Sequence, residues 1–590
     1  MKWAWKRLNG EINIKTLNVN TLRKRLFALI CAIAFIFLSI LGRLFYIQII
    51  WGNKLQAKAV DQWTRELPLV AKRGEITDRN GVVLAGNTQS YAVFIRARSV
   101  VDAEKVSSVL SNVLGVDGKE LYNKITKSSS SVITVKRRVN KGDIDRLREY
   151  ALSGVYFSPD YTRTYPYSNS LSQVLGYTSF DGSGLTGLEK VYDEYLQGYD
   201  GEILYEADLV GKDLEGKTAK YMPATDGLNV KLTIDYEIQS ICDSVIKKAY
   251  DEYTPKSACA LVVNPQNGQI LAVSQYPNYD LNDLPRDDIE TLNKLGRCSL
   301  IVDSYEPGST FKVLTAAANI EEHLKGNPRA FSLNHVFNSS RFRYVDGKKI
   351  KCWSTHDKGK HSNENLAMAL NNSCNPCFVD IALSLGKEKM YEYLNAFGYG
   401  KCTGVDFSGE ALGMVLPENS VKNGDLARIS FGQTIAVTPI QLAMATSSAI
   451  NGGLYYQPYF LKEISDKYGQ IAQITQDKCL RRVISEEASK ILASYLEGVV
   501  ENGSGKQAYI EGYRVGGKTG TAQKYENGVI AQGKYVMSFV GFFPAHNPEY
   551  LAIAIVDEPV GGQYGSTVAA PLVKEIFQAI ISCKNIEAYV

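Results

Sequence analysis

The chain has 590 residues, of which 45% are hydrophobic and 22% charged, with 49 Gly and 18 Pro. At roughly 100–200 residues per domain, this suggests two to four domains. The composition is that of a globular protein, which excludes a disordered chain, a collagen and a small disulfide framework. The net charge is +4, but residues 1–25 alone carry +6, so the remaining 565 residues sum to −2. The basic excess is a tail rather than a patch on a folded domain, and nucleic acid is not an expected partner.

An apolar run follows the tail. Leu26 to Gly42 is 17 residues without a charge, and apolar residues resume after Arg43 as far as Ile50. A spanning helix needs about 20 such residues. Arg43 and Gln48 fall near the far end, where a long side chain can reach the interface, and Trp51 suits that interface. The alternative is a cleaved signal peptide. Arg43, Leu44 and Phe45 stand where small residues would be needed for cleavage, which favours an uncleaved anchor. Positive-inside then places residues 1–25 in the cytoplasm and residues 52–590 outside. Later apolar stretches such as Leu551–Val556 have the length of buried strands, so a single span is expected, and a channel or transporter is excluded. Of ten cysteines, Cys31 lies in the run and nine lie beyond it. A large ectodomain does not need disulfide staples, and scattered core thiols are the simplest reading for most of them.

In chain order, residues 52–72 read as a short juxtamembrane helix and an extended exit. Arg73–Ala85 reads as strand, turn and strand around Asn80-Gly81, the strong hairpin signal. Tyr91–Arg96 is strand-like, Ala103–Leu114 is an amphipathic helix, and Val132–Val139 with Asp143–Tyr150 reads as strand then helix. Residues 161–200 show no clean period. A strand over Lys231–Asp235 leads into a helix from Tyr236 to Tyr253. Ala258–Val263 and Gln269–Ser274 form a hairpin. Helical patterns dominate residues 309–500. Strands follow around Tyr535–Phe542 and Leu551–Val556, then a helix from Val568 to Cys583. Strands at both ends enclosing a helical middle imply a sheet covered by helices.

Three short motifs carry chemistry. Ser309-Thr310-Phe311-Lys312 follows a Pro307-Gly308 turn and precedes an apolar helical run, so Ser309 opens a buried helix and Lys312 shares its face. A serine hydroxyl needs a base to become a nucleophile, and a desolvated lysine has a lowered pKa that suits it to that task. The same S-x-x-K spacing at Ser244/Lys247 and Ser384/Lys387 lacks that entry and reads as solvated helix faces. Ser373-Cys374-Asn375 lies 61 residues past Lys312 and by itself reads as a helix-cap loop. Lys518-Thr519-Gly520-Thr521 sits within a match to the phosphate-loop letters beginning at Gly512. A phosphate loop needs a helix after it, whereas here the pattern is strand, turn and strand.

Taken together, S-x-x-K, S-x-N and K-T-G in this order resemble the penicillin-binding protein and serine β-lactamase superfamily. The closer resemblance is to class B penicillin-binding proteins, the monofunctional D,D-transpeptidases. It extends to Arg73-Gly74, Asp78-Arg79-Asn80-Gly81, Arg163 with Tyr165-Pro166, Gly187-Leu188-Glu189, Gly432-Gln433 and Thr438-Pro439. The short segment before the apolar run argues against class A, and the stretch from Ser430 to Pro439 looks more like the division and sporulation branch than the elongation branch. The resemblance implies an α+β protein. Its parts would be a cytoplasmic tail (1–25), a transmembrane helix (26–50), an elongated α+β pedestal (51–225) and a transpeptidase domain (226–590) built as an antiparallel sheet covered by helices.

The resemblance also implies roles. Ser309 would attack the D-Ala-D-Ala stem and form an acyl-enzyme, with Lys312 as base. Ser373 would relay the proton to the leaving amine, and Asn375 would bind a substrate amide. Lys518, Thr519 and Thr521, in the Lys518-Thr519-Gly520-Thr521 segment, would hold the terminal carboxylate. The N–H groups of Ser309 and Thr521 would form an oxyanion hole, each donor of which is typically worth about 2.7–4 kcal/mol. No cofactor is needed for acyl transfer. The implied partners are lipid-linked peptidoglycan stem peptides, β-lactams and a membrane glycan polymerase. Two other functions remain open: a β-lactam sensor or β-lactamase on the same fold, and a non-catalytic scaffold of wall synthesis.

Near the second motif, Cys352, His356, Asp357, Cys374 and Cys377 form a plausible set of zinc ligands. Core thiols or a disulfide within the group are the alternatives. His361 lies where the family usually has a His-Gly, so a structural role is expected for it.

Overall fold

Alternation with period two organises the centre of the fold. The computed structural model describes residues 19–52, 54–55, 64–127, 132–206, 220–356, 361–526, 529–562 and 564–588. Strands β1 (Ser257–Val263), β2 (Ile270–Tyr276), β3 (Gly516–Glu526), β4 (Val529–Phe543) and β5 (Tyr550–Asp557) form one antiparallel sheet in the order β2-β1-β5-β4-β3. Cys259, Leu261 and Val263 of β1, with Leu551, Ile553 and Ile555 of β5, enter one core. Ala258, Ala260 and Val262, with Ala552, Ala554 and Val556, enter the other. Successive side chains of a strand point to opposite faces, so both faces of this sheet are buried.

Helices cover each face. On one side lie α1 (Tyr236–Tyr253) and α5 (Gly565–Lys584), whose Ile246, Val573, Ile576 and Phe577 pack with Phe539 and Phe543 of β4. On the other lie α2 (Lys312–Leu324) and α4 (Glu486–Asn502), with the helix Pro439–Ile450. Residues 312–322 of α2 are all buried, as befits the central helix of a core. Helix α3 (Asn375–Leu385) packs against α2. Its first turn holds Pro376, whose missing N–H is one the helix start would leave unpaired anyway. The sheet with helices on both faces agrees with the fold expected from sequence.

The stretch read as helical, 309–500, also contains short strands. One pair is the hairpin Phe342–Val345 with Lys348–Lys351. Its turn is Asp346-Gly347, at φ 49° and 74°. Asp-Gly is a strong two-residue hairpin signal, because both positions need φ > 0. The short strands Leu454–Tyr456, Leu461–Ser465, Ile471–Ile474 and Cys479–Arg482 lie in the same stretch.

The chain divides into two compact units, one of residues 1–69, 91–158 and 201–223, the other of 70–90, 159–200 and 224–590. In the first, the helices Ala103–Leu114 and Lys141–Glu149 and the strand Ile133–Val139 enclose a small core of Val106, Leu110, Ile133, Ile144 and Leu147. Asp102 caps the first of these helices by accepting from Lys105 N, and Gly115 ends it at φ 69°. The N-terminal helix Val19–Phe45 continues as a π-helical turn to Ile50, and its apolar side chains from Leu26 on are exposed, with Ile47 half-buried. Its length and composition fit a membrane span. Among the described residues the other helix long and apolar enough, α5, is a core helix of the second unit. The juxtamembrane helix expected after residue 52 lies largely outside the described residues.

In the second unit, family-like residues far apart in sequence meet around one carboxylate. Glu189 is fully buried and accepts from Arg73 Nε at 2.8 Å and Arg163 Nε at 2.7 Å. Arg73 also pairs with Asp193 at 2.6 Å, and Arg163 donates to the Gly74 carbonyl at 2.7 Å. Two buried guanidiniums are tolerable only while the carboxylate remains. Glu189→Gln is therefore expected to destabilise this unit by about 3–5 kcal/mol. Denaturant unfolding checks this, and an unchanged midpoint would refute it.

Candidate active site

Three elements from separate stretches of chain deliver the site. The first is the turn Pro307-Gly308, with Gly308 at φ 56°, leading through a 3₁₀ turn over Gly308–Phe311 into α2. It leaves Ser309 half-buried and Lys312 fully buried. The second is the segment before α3, where Ser373 takes φ 54° and Cys374 is the N-cap residue. The third is β3, with Lys518 fully buried. A Cβ at Gly520 would lie 2.3 Å from Ser538 Oγ and 3.0 Å from the Pro307 carbonyl oxygen. Glycine there lets β3 close onto the Ser309 turn.

Lys312 Nζ is the hub. It lies 3.1 Å from Ser309 Oγ, 2.7 Å from the Ser373 carbonyl, 3.0 Å from Ser373 Oγ and 2.7 Å from Asn375 Oδ1. The two closest partners can only accept. A neutral amine has two N–H bonds for them and one lone pair left, within reach of the Ser309 hydroxyl. Burial pushes Lys312 down to about 8. Lys518 Nζ donates to Ser373 Oγ at 3.0 Å and lies 3.3 Å from Thr519 Oγ1. Burial first, and then the neighbouring Lys312, hold Lys518 well below the ordinary lysine range. Thr521 Oγ1 accepts from Gly565 N at 3.0 Å, which ties β3 to the start of α5.

The left-handed backbone of Ser373 aims both its carbonyl and its hydroxyl at Lys312. Such a conformation costs on the order of 1–3 kcal/mol outside glycine. The same carbonyl also accepts from Trp353 Nε1 at 3.1 Å. Trp353 was not singled out from sequence, and no motif marks it. It is 57% exposed and meets Tyr564 edge-on at 6.2 Å.

Beside this segment, Cys352, His356, His361 and Cys374 bring their ligand atoms within 4.8 Å of one another. His356 Nδ1 lies 2.8 Å from the Ser339 carbonyl, and Nε2 lies 3.8 Å from Cys374 Sγ. His361 Nδ1 is buried 3.4 Å from Glu364 Oε1, without the geometry of a hydrogen bond. Both histidines have positive φ, 62° and 60°. Cys377 belongs to an overlapping group with Glu364 and Cys374, its thiol 3.4 Å from Glu364 Oε2. Asp357 lies outside the described residues. Thus His361, expected to be structural, sits among the candidate ligands. All ten cysteines carry free thiols.

The profile of the penicillin binding protein transpeptidase domain matches residues 258–578, and that of the penicillin-binding protein dimerisation domain matches residues 68–232. The chain therefore belongs to the penicillin-binding protein transpeptidase family, in its class B. It is 39% identical to stage V sporulation protein D of Bacillus subtilis over 562 residues, covering 95% of this chain and 85% of that one. It is 28% identical to the peptidoglycan D,D-transpeptidase FtsI of Escherichia coli (strain K12), covering 95% and 92%. Among solved structures, penicillin binding protein 2X of Streptococcus thermophilus matches with a TM-score of 0.71 at 25% identity, over 88% of this chain and 80% of that one.

Any reaction in which Lys312 takes the Ser309 proton needs the amine neutral. Its rate should climb with pH by about tenfold per unit while Lys312 is charged, and level off above the midpoint. That midpoint is expected at about 8. Covalent labelling of Ser309 between pH 6 and 10, a range of about four units around that midpoint, reads it. A pH-independent rate would exclude Lys312 as the base.

Proposed function

We propose that this protein is a membrane-anchored peptidoglycan D,D-transpeptidase of septal or spore wall synthesis, acting through an acyl-enzyme on Ser309. The observation that carries this reading is the buried Lys312 amine, 3.1 Å from Ser309 Oγ and shared with Ser373 and Asn375. Ser309 Oγ attacks the carbonyl of the penultimate D-Ala as Lys312 accepts its proton. The C–N bond breaks, and the terminal D-Ala leaves as an amine protonated by way of Ser373. Asn375 holds a substrate amide, and Lys518, Thr519 and Thr521 hold the terminal carboxylate beside Gly520. The N–H groups of Ser309 and Thr521 face the oxyanion. An amine of a neighbouring stem then attacks the ester and regenerates the Ser309 hydroxyl. A β-lactam opens on Ser309 without releasing a leaving group, so its ester persists. The names of the relatives, a sporulation protein and a D,D-transpeptidase, support the reading.

The exposed apolar helix supports a single-pass anchor with the basic tail in the cytoplasm and the site outside. In this arrangement the pedestal is residues 51–225 and the transpeptidase domain residues 226–590. The anchor and pedestal would meet a membrane glycan polymerase.

Acyl transfer uses no cofactor, but Cys352, His356, His361 and Cys374 suit a structural zinc. Two thiolates and two imidazoles are a common closed set for this ion. Nδ1–H of His356, donated to the Ser339 carbonyl, would leave Nε2 free to ligate, which is the usual outer-shell arrangement. His361 Nδ1 faces the Glu364 carboxylate at 3.4 Å, a neighbour of the kind that orients a ligating imidazole. The ion would brace Cys374, the middle residue of the second motif.

Intact-mass analysis with a penicillin tests the catalytic reading. A stable adduct on the wild type, absent in Ser309→Ala, is expected. Rapid turnover would indicate a β-lactamase, and no adduct would sink the enzymatic reading. Metal analysis should find about one zinc per chain, lost in Cys352→Ala. No stoichiometric metal in the wild type ends the zinc proposal.

A further inference from the structure

The hairpin Phe342–Val345 with Lys348–Lys351 takes no part in the chemistry above, yet it concentrates positive charge. Residues 341–351 hold five Lys and Arg against Asp346 alone. Arg343 is committed to Asp380 through two contacts of 2.7 and 2.6 Å. Asp346 accepts from Gly424 N at 2.7 Å. Arg341, Lys348, Lys349 and Lys351 remain exposed, and among the described residues none of them makes a salt bridge.

The hairpin presents these charges on a fixed surface. Its inward residues Val345 and Ile350 pack with Val379, Ala427 and Phe431. Its outward face pairs aromatic with lysine across the strands, Phe342 with Lys351 and Tyr344 with Lys349. Lys349 Nζ lies 3.8 Å from the Phe342 ring centroid. Tyr344 is 67% exposed. A rigid face of this kind offers flat apolar area with cations beside it, at little entropic cost on binding.

The hairpin also begins where the active site ends. Asn375 Nδ2 donates to the Lys351 carbonyl at 3.3 Å. On the proposed reading, a polymer with one peptide stem at Ser309 and Asn375 can extend along this hairpin. Such stems carry free carboxylates.

We propose that this face is a subsite for the peptidoglycan strand, in which the lysines pair with stem carboxylates and Tyr344 stacks on the strand. The proposal rests on the transpeptidase reading and names how its polymeric substrate is held.

The test uses the full-length protein in detergent, with soluble uncrosslinked peptidoglycan strands as the probe and penicillin acylation measured in parallel. In Lys349→Gln/Lys351→Gln, the two lysines of the outward face, strand affinity at low salt is expected to fall roughly five- to tenfold with a flatter salt dependence, while penicillin acylation stays within about twofold of wild type. Lys349→Arg/Lys351→Arg should restore binding. Tyr344→Ala should weaken binding without changing its salt dependence. Strands with amidated carboxylates should bind the wild type as weakly as native strands bind the Gln variant. Wild-type affinity in the Gln variant overturns the proposal, as does equal binding of amidated strands or failure of the Arg variant to restore affinity. Absence of a penicillin adduct on the wild type would instead sink the transpeptidase reading, whatever the strands do.

Discussion

Two buried amines sharing one hydroxyl is the constraint on which the site depends. Lys312 and Lys518 are both fully buried, and each lies 3.0 Å from Ser373 Oγ. Their nitrogens are thus no more than about 6 Å apart, where two positive charges repel by about 3 kcal/mol even at an effective dielectric of 20. The hydrogen-bond partners around them are hydroxyls and carbonyls, which solvate an amine without restoring its charge. The pair therefore favours carrying one proton rather than two. On the proposed mechanism, a substrate carboxylate at Lys518 would draw that proton there and leave Lys312 neutral. Donor binding would then set the protonation state that acylation needs.

The rest of the second unit serves to hold those two nitrogens in place. Lys312 is on the central helix of one core, and Lys518 is on a strand of the sheet beneath it. Ser373 is a turn residue, and turn residues are free to move unless something holds them. Its carbonyl is held from two sides, by Lys312 and by Trp353. The proposed zinc would act on the next residue, Cys374. Four residues with positive φ, His356, His361, Asn363 and Ser373, lie in this one stretch of chain. Backbone strain of that sort persists only where the surroundings over-determine it. A bound metal would supply part of that determination for the two histidines.

Much of this was legible in the sequence, for identifiable reasons. Helix Tyr236–Tyr253 and strands β1 and β2 follow from strong periodicity and the Asn267-Gly268 turn, and the structure adds Asp235 as the helix cap. The S-x-x-K motif was separable from its two copies because Pro307-Gly308 marks a helix entry. Other features need the tertiary structure. The convergence of Arg73, Arg163 and Glu189 spans more than one hundred residues and leaves no local pattern. Trp353 acts through its contact with a backbone carbonyl, which no spacing encodes. The place of His361 among the candidate ligands depends on a loop fold, because its neighbours in sequence give no helical register. The Phe342–Lys351 hairpin is a different case. Its Asp346-Gly347 turn was readable, but the helical periods on either side of it dominated the window.

That hairpin also changes the meaning of the charge balance. A net sum of −2 beyond residue 25 describes the field at long range, where opposite charges cancel within a Debye length of about 8–10 Å. Recognition at contact distance depends on local arrangement instead. Asp380 and the Gly424 amide occupy Arg343 and Asp346, and the four cations left over stand on one rigid hairpin at the edge of the site. Positive charge in this chain therefore has two separate placements. The tail fits orientation across a membrane, and the hairpin lies where an extended anionic substrate would leave the catalytic cleft.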